Sequence, residues 1–332
     1  MMLVECIQQI YHENETVEIV FKPNQFVKYK VGQFITILLS ELNVRRSYSI
    51  CNLFDEKYFH ILIKRIPNGI VSRYFYDQNL IGKTFTILEP EGRFNLINTK
   101  NNQVFFAAGS GIAPVIALIS DYLNRYDEKV YLYYSVRNEN EIIFKENLAQ
   151  LENNFSSRFS VKYIFSNPFK SGEKPVRLNN IWLETEYEKL GFKDRESFYL
   201  CGTASYMKMI QFTLQYLGVS KERIRKEIFE IPIKQNQENK PELSLQNVTL
   251  NLAGKEYQFN VESNESILDA ALMAKINLPH SCKAGICSAC SAKLDSGKVW
   301  MGINEVLTDH ELDQGWILTC TAHPLTSTYL TK

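Results

Sequence analysis

Four cysteines in the last quarter of the 332-residue chain constrain it most. Cys282, Cys287 and Cys290 fall within HSCKAGICSACSAKL (280–294). Cys320 follows in ILTCTAHP, so the spacing is C-x4-C-x2-C-x29-C. Iron takes soft thiolates, and a [2Fe–2S] cluster needs four of them, two per iron. One loop can wrap three ligands around such a cluster while a later strand brings the fourth. The small residues Ala284, Gly285, Ser288 and Ala289 leave room for backbone amides to approach the sulfurs. Other chemistries fit less well. Structural zinc usually takes two C-x2-C pairs, and Cys320 stands alone. A redox C-x-x-C gives no role to a third cysteine just upstream. His280 and His323 flank the ligands, but beside four cysteines in this spacing they read as neighbours, not as the histidine pair of a Rieske centre. A cluster holds one electron at a time, so something upstream must supply electrons.

The remaining composition narrows the class. Seven cysteines, an odd count with four near the end, do not form a secreted disulfide framework. The chain is 45% hydrophobic and 22% charged with zero formal net charge, enough apolar material for several cores and no general attraction to nucleic acid or an anionic membrane. The N-terminal stretch MMLVECIQQIYHENETVEIV has acids and amides where a signal peptide would have a basic then apolar stretch, so no targeting signal is expected there. The most apolar window, VFFAAGSGIAPVIALI (104–119), is too short and too interrupted by Gly and Pro to span a bilayer. These features predict a cytoplasmic protein without a transmembrane segment.

Patterning divides the chain. The first hundred residues hold closely spaced β-branched and aromatic runs (GQFITILLS, RSYSIC, YFHILIKR, TFTILEP) and one short helical candidate, SRYFYDQ. An antiparallel barrel is expected over 1–98. Strand and helix patterns then alternate: QVFFAAG, APVIALISDYLNRY, VYLYYSV, KENLAQLE, VKYIFS, SFYLCG and a helix carrying Met207, Ile210, Leu214 and Leu217. That alternation predicts a parallel α/β domain over 99–233. KQNQENKPE (234–242) is polar, lacks an apolar anchor and reads as a linker. A small α+β domain over 243–332 follows, with strands NVTLNLA and KEYQFNV, the helix ESILDAALMAKI and the cysteine loop.

Several short motifs carry chemistry. Arg46-Ser-Tyr48-Ser49 offers a guanidinium that can pair with a pyrophosphate, an aromatic ring and a hydroxyl; alone it reads equally as an ordinary strand. Gly69-x-x-Ser72 precedes the short helix and suits a phosphate, or alone a serine-capped turn. AAGSGIAP (107–114) follows a buried strand: Gly109 and Gly111 permit a tight turn against a pyrophosphate, and Pro114 suits a first helical turn. A lone G-x-G is weak. At the end of the next strand, YYSVRNENE presents Ser135 and Arg137; an arginine there suits the 2′-phosphate of NADP, unless it is a surface charge near Glu139 and Glu141. Cys201 and Gly202 end a strand in YLCGTASYMKM, where a buried cysteine is also an ordinary core residue.

Taken in order, these segments resemble the ferredoxin–NADP reductase superfamily joined to a plant-type ferredoxin domain, whose fold is a β-grasp. Arg-x-Tyr-Ser, Gly-x-x-Ser, PEGRF (90–94), G-x-G-I-x-P and YLCG carry the first likeness; the cysteine spacing carries the second. The family pattern has proline where this chain has Thr203, a departure expected to loosen the turn slightly. The resemblance implies FAD on Arg46, Tyr48, Ser49, Gly69 and Ser72. It implies a nicotinamide on Gly109, Gly111, Pro114, Ser135, Arg137, Cys201 and Gly202, with NADPH favoured and NADH possible. Ser49, Cys201 and Glu227 would take catalytic parts, and Phe229 would cover the flavin or else pack in the core. Within the group the likeness is to reductases of phenylacetyl-CoA epoxidase systems, carried by YSVRNENEIIFKENL and ILTCTAHP. It implies electron transfer to a partner oxygenase, hydroxylase or desaturase component. The alternatives are a general electron carrier or a redox sensor.

Overall fold

The computed structural model describes residues 1–332 apart from 40–43, 53–56, 68, 170–174, 193–194, 230–240, 242, 264, 305 and 308. All of the predicted linker except Pro241 therefore lies outside the described residues. The chain divides into two compact units, Met1–Glu227 and Ile228–Lys332.

In the first unit, β1 (Met2–His12), β2 (Thr16–Pro23), β3 (Phe34–Leu39), β4 (Val44–Ser49), β5 (Phe59–Lys64) and β6 (Thr84–Ile87) form an antiparallel sheet of order β4-β3-β6-β1-β2-β5. An isolated bridge between Ile50 and Ile61 brings the two outer strands together and curls the sheet into the expected barrel. Its interior is apolar, with Val4, Val17, Ile19, Ile35, Ile37 and Ile63 almost wholly buried. The short helix α1 (Ile70–Asp77) closes one side, where Phe75 meets Phe21, Tyr48 and Phe85 edge-on or tilted.

The same unit continues with β7 (Asn102–Ala108), α2 (Ile112–Arg125), β8 (Val130–Val136), α3 (Lys145–Asn154), β9 (Phe159–Phe165), α4 (Asn180–Leu190), β10 (Glu196–Cys201), α5 (Ala204–Tyr216) and β11 (Ile224–Glu227). The strands form a parallel sheet of order β11-β10-β7-β8-β9. Covered strands need no polar alternation, and all six residues of β10 are buried. The chain runs outward from β7 to β9, then returns to β10 on the other side of β7. The carboxyl ends of β7 and β10 are therefore the switch point at which such sheets open a ligand crevice. Cys51, Leu62 and Phe94 from the barrel share the core of this sheet.

The second unit contains β12 (Gln246–Leu252), β13 (Lys255–Val261), α6 (Ile267–Met273), β14 (Ser291–Ser296), β15 (Val299–Met301), α7 (Asp309–Asp313), β16 (Trp316–Leu318), β17 (Ala322–Pro324) and β18 (Thr328–Thr331). A mixed sheet of order β13-β12-β18-β14-β16 packs Val248, Leu250, Leu318 and Leu330 against Ile267, Leu268 and Ala271 of α6, in the β-grasp manner; β15 and β17 form a separate ribbon.

Candidate functional site

On the barrel, β4 pairs with β3 so that Arg46 faces Ile37, Tyr48 faces Ile35 and Ser49 faces Phe34. The Arg46 side chain is exposed, and its Nη1 donates to the Arg45 carbonyl at 2.7 Å. Tyr48 lies edge-on to Phe75 of α1 with ring centroids 6.4 Å apart. Burial lifts its phenol above the usual range, against a smaller opposing effect of the Arg46 charge. Ser49 is 5% exposed and its hydroxyl has no hydrogen-bond partner among the described residues. A buried orphan hydroxyl can take a polar partner, and an exposed guanidinium on the same strand can meet an anion. Across from them, Gly69 starts α1 without any side-chain cap, leaving first-turn amides for an anion. Ser72 turns inward instead: its Oγ donates to the Gly69 carbonyl and accepts from the Ile66 amide, both at 3.2 Å. Strand β4, with Arg46 and Ser49, thus meets helix α1, with Ser72, through the contact of Tyr48 with Phe75.

At the switch point the two glycines have different reasons. Gly109 has φ 53°, a left-handed backbone that side chains resist. Gly111 has an ordinary φ, but a Cβ there would lie 2.4 Å from the Cys201 carbonyl oxygen. Pro114 sits in the first turn of α2, where its missing N–H costs nothing. β5 of the barrel approaches the Gly109–Gly111 turn. Cys201, fully buried, is held well above the ordinary thiol range by burial and then by Glu227, its register partner across β10 and β11. Burial raises the Glu227 carboxyl to about 8. Phe229 lies two residues past Glu227 and is 46% exposed.

Thr203 does not loosen its turn. Its φ of −64° is one that proline shares, and its hydroxyl caps α5 by accepting from the Tyr206 amide at 3.4 Å. Tyr206, absent from the sequence-based candidates, links the crevice internally. Ser135 Oγ donates to the Tyr206 hydroxyl, which donates to the Ala107 carbonyl, each at 3.3 Å. Its position in YLCGTASYMKM is visible in the sequence, but its contact 71 residues away is not. Arg137 is exposed just past β8, where its carbonyl accepts from the Asn167 amide at 2.7 Å.

In the second unit the cysteine loop bends through left-handed Lys283 (φ 53°), Gly285 (φ 75°) and Ser288 (φ 55°). The sulfurs form two pairs, Cys282 with Cys287 and Cys290 with Cys320. Hydrogen bonding to Cys287 draws the Cys282 thiol below its usual range against the effect of burial, helped by the backbone at Ile286, Ala284 and Cys287. Cys320 likewise lowers Cys290. The Ala284 amide lies 3.3 Å from Cys282 Sγ, and the Cys282 amide 3.4 Å from Cys287 Sγ. Two thiol pairs with amides turned to sulfur fit a binuclear iron site. His280 is occupied elsewhere, Nδ1 lying 2.8 Å from the Leu278 carbonyl.

Known proteins match the chain domain by domain. Residues 3–96 match the oxidoreductase FAD-binding domain, 105–212 the oxidoreductase NAD-binding domain and 250–325 the 2Fe-2S iron-sulfur cluster binding domain. The chain is 31% identical over 310 residues to one of the subunits of 1,2-phenylacetyl-CoA epoxidase from Escherichia coli (strain K12), covering 90% of this chain and 87% of that one. It is 27% identical over 322 residues to the ferredoxin reductase component of 3-ketosteroid-9-alpha-monooxygenase from Rhodococcus rhodochrous, covering 90% and 86%. Among solved structures, phthalate dioxygenase reductase superposes with a TM-score of 0.62 at 21% identity, over 100% of this chain and 98% of that one. An intact type IV self-sufficient cytochrome P450 monooxygenase gives 0.77 at 20% identity over 99% of this chain, which spans 40% of that structure. At such identities these two speak for the fold alone.

Domains and sites together define an NAD(P)H-dependent oxidoreductase that moves electrons from a nicotinamide nucleotide through FAD to a [2Fe–2S] cluster. Identity and coverage go further: the chain belongs to the same family as its 1,2-phenylacetyl-CoA epoxidase relative. Among the described residues no helix is long and apolar enough to cross a membrane.

Proposed function

We propose that this reductase draws electrons from NADPH in the cytoplasm and delivers them to an oxygenase of the 1,2-phenylacetyl-CoA epoxidase type. The kinship over 90% of the chain carries the partner. Reductases of other monooxygenases lie at 27–28% identity, so a hydroxylase or desaturase partner is the second reading. Arg137 carries the nucleotide choice, because a guanidinium at the end of the second strand suits a 2′-phosphate.

On this reading three parts, 1–98, 99–233 and 243–332, are joined by the linker 234–242. Arg46 and the first-turn amides of the Gly69–Ser72 segment hold the FAD pyrophosphate, and Tyr48 lies along the flavin. Gly109, Gly111, Pro114 and Gly202 make room for the nucleotide, with Ser135 and Arg137 at its ribose end. Ser49 and Cys201 orient the reacting rings, Glu227 keeps a proton beside Cys201, and Phe229 covers the ring until the nicotinamide displaces it. Cys282, Cys287, Cys290 and Cys320 hold the cluster. Bound FAD would supply the splitting of one hydride's two electrons into single-electron steps.

Arg137→Ala tests the nucleotide. Losing a charge-assisted contact to phosphate should lower kcat/KM for NADPH about 10–100-fold and leave NADH unchanged. An unaltered preference sinks the NADPH assignment. For the partner, the reductase is mixed with NADPH and the Escherichia coli epoxidase from which the homologue of this chain has been left out. Consumption of phenylacetyl-CoA is expected; normal cytochrome c reduction without it moves the reading to another oxygenase.

A further inference from the structure

The cluster loop is held by a charged side chain from the far end of the second unit. The Lys332 ammonium donates to the Ala289 carbonyl oxygen at 2.7 Å. Ala289 is 1% exposed and lies between left-handed Ser288 and the ligand Cys290. Neighbouring carbonyls are met by neutral donors: Ser288 by the Ser291 amide at 2.9 Å, and Cys290 by the Thr319 amide at 3.2 Å and the Thr319 hydroxyl at 2.9 Å. Ala289 alone among these three takes a formal positive charge. Lys332 is rooted on both sides, its amide donating to Asn251 at 2.8 Å and its carbonyl accepting from Ala253 at 3.0 Å. Its stem therefore starts from fixed backbone, and its head reaches the peptide whose nitrogen belongs to Cys290.

We propose that Lys332 is a positioning residue that raises the reduction potential of the cluster. It does so by clamping the Ala289–Cys290 peptide with a positive charge on the carbonyl that precedes the ligand Cys290. The proposal rests on these cysteines holding the cluster. Adding one electron makes a tetrathiolate cluster more negative, so a nearby cation stabilises the reduced form more than the oxidised one. The rest of the domain works the other way: residues 243–332 carry nine acids against six lysines, of which Lys332 is one. Lys283, within the loop itself, is exposed and lies 3.8 Å from Asp269, which offsets its charge.

The test is an EPR-monitored redox titration of the full chain loaded with FAD and cluster, comparing wild type with Lys332→Met, Lys332→Gln and Lys332→Arg. Both uncharged variants should raise the oxidised-to-reduced ratio at the wild-type midpoint by at least about threefold, which is about 28 mV downward at 59 mV per tenfold for one electron. Lys332→Arg should stay within that bound, and the flavin midpoints should not move. Unchanged cluster midpoints in both Met and Gln variants overturn the proposal, as does a shift in Lys332→Arg as large as in Lys332→Met. If both uncharged variants lose the cluster while Lys332→Arg keeps it, Lys332 serves folding and the potential-tuning role falls. A wild-type chain that shows no cluster signal removes the ligand assignment itself.

Discussion

A buried hydroxyl without a partner, as at Ser49, costs a folded protein about 1–3 kcal/mol, so Ser49→Ala separates folding from function. Without flavin, the variant should melt at or above the wild-type temperature, because an unsatisfied polar atom is removed. With FAD bound, reduction by the nucleotide should slow about 10–100-fold if the hydroxyl serves the ring edge. A destabilised flavin-free variant with unaltered reduction would place Ser49 in the core instead. Glu227 gives a pH signature. Its folded value of about 8 stands above the roughly 4.3 of an unfolded glutamate. Between those values the folded chain keeps a proton that the unfolded chain has released. Its contribution is therefore fully present below about pH 4.3 and is lost as pH rises to about 8. Glu227→Gln should flatten the fall in Tm across that window, and an unchanged slope counts against the raised carboxyl. Single residues were legible in sequence only where spacing revealed them. The four cysteines announce themselves, whereas the isolation of Ser49, the Ser135–Tyr206 contact and the reach of Lys332 to Ala289 depend on strands far apart in the chain.

Elements were legible where one period dominated. β7, α2, β8 and β10 follow from continuous apolar runs and from Val115, Ile116, Ile119 and Leu123 on one helix face. β1 hides its alternation among glutamine and glutamate, and α4 buries only Leu183, so neither stood out. The short strands after the cysteine loop span as few as three residues, too few to show a period. The contact between two of the legible elements is the most sensitive point of the crevice. A methyl at Gly111 must displace the Cys201 carbonyl, forcing α2 away from the end of β10. Gly111→Ala should cost about 1–3 kcal/mol in chemical denaturation, as overpacking does, and raise KM for the nucleotide while leaving FAD content unchanged. A variant of normal stability and normal KM would show that the strand ends yield freely.

The whole molecule separates the two kinds of electron traffic. The unit Met1–Glu227 contains the barrel, the parallel sheet and their own apolar cores, and Ile228–Lys332 contains all four cysteines proposed to hold the cluster. Damage to the cluster should therefore leave hydride acceptance intact. Cys290→Ser replaces a thiolate with a hydroxyl that is a poor iron ligand at neutral pH, next to the Thr319 contacts that join it to Cys320. With NADPH, turnover to ferricyanide, which can take electrons at the flavin, should stay within about twofold of wild type. Turnover to cytochrome c should fall at least about tenfold, since single electrons no longer leave through the cluster. Both rates falling together would mean that the flavin half depends on an intact cluster. Both rates surviving would mean that the cluster is not the exit.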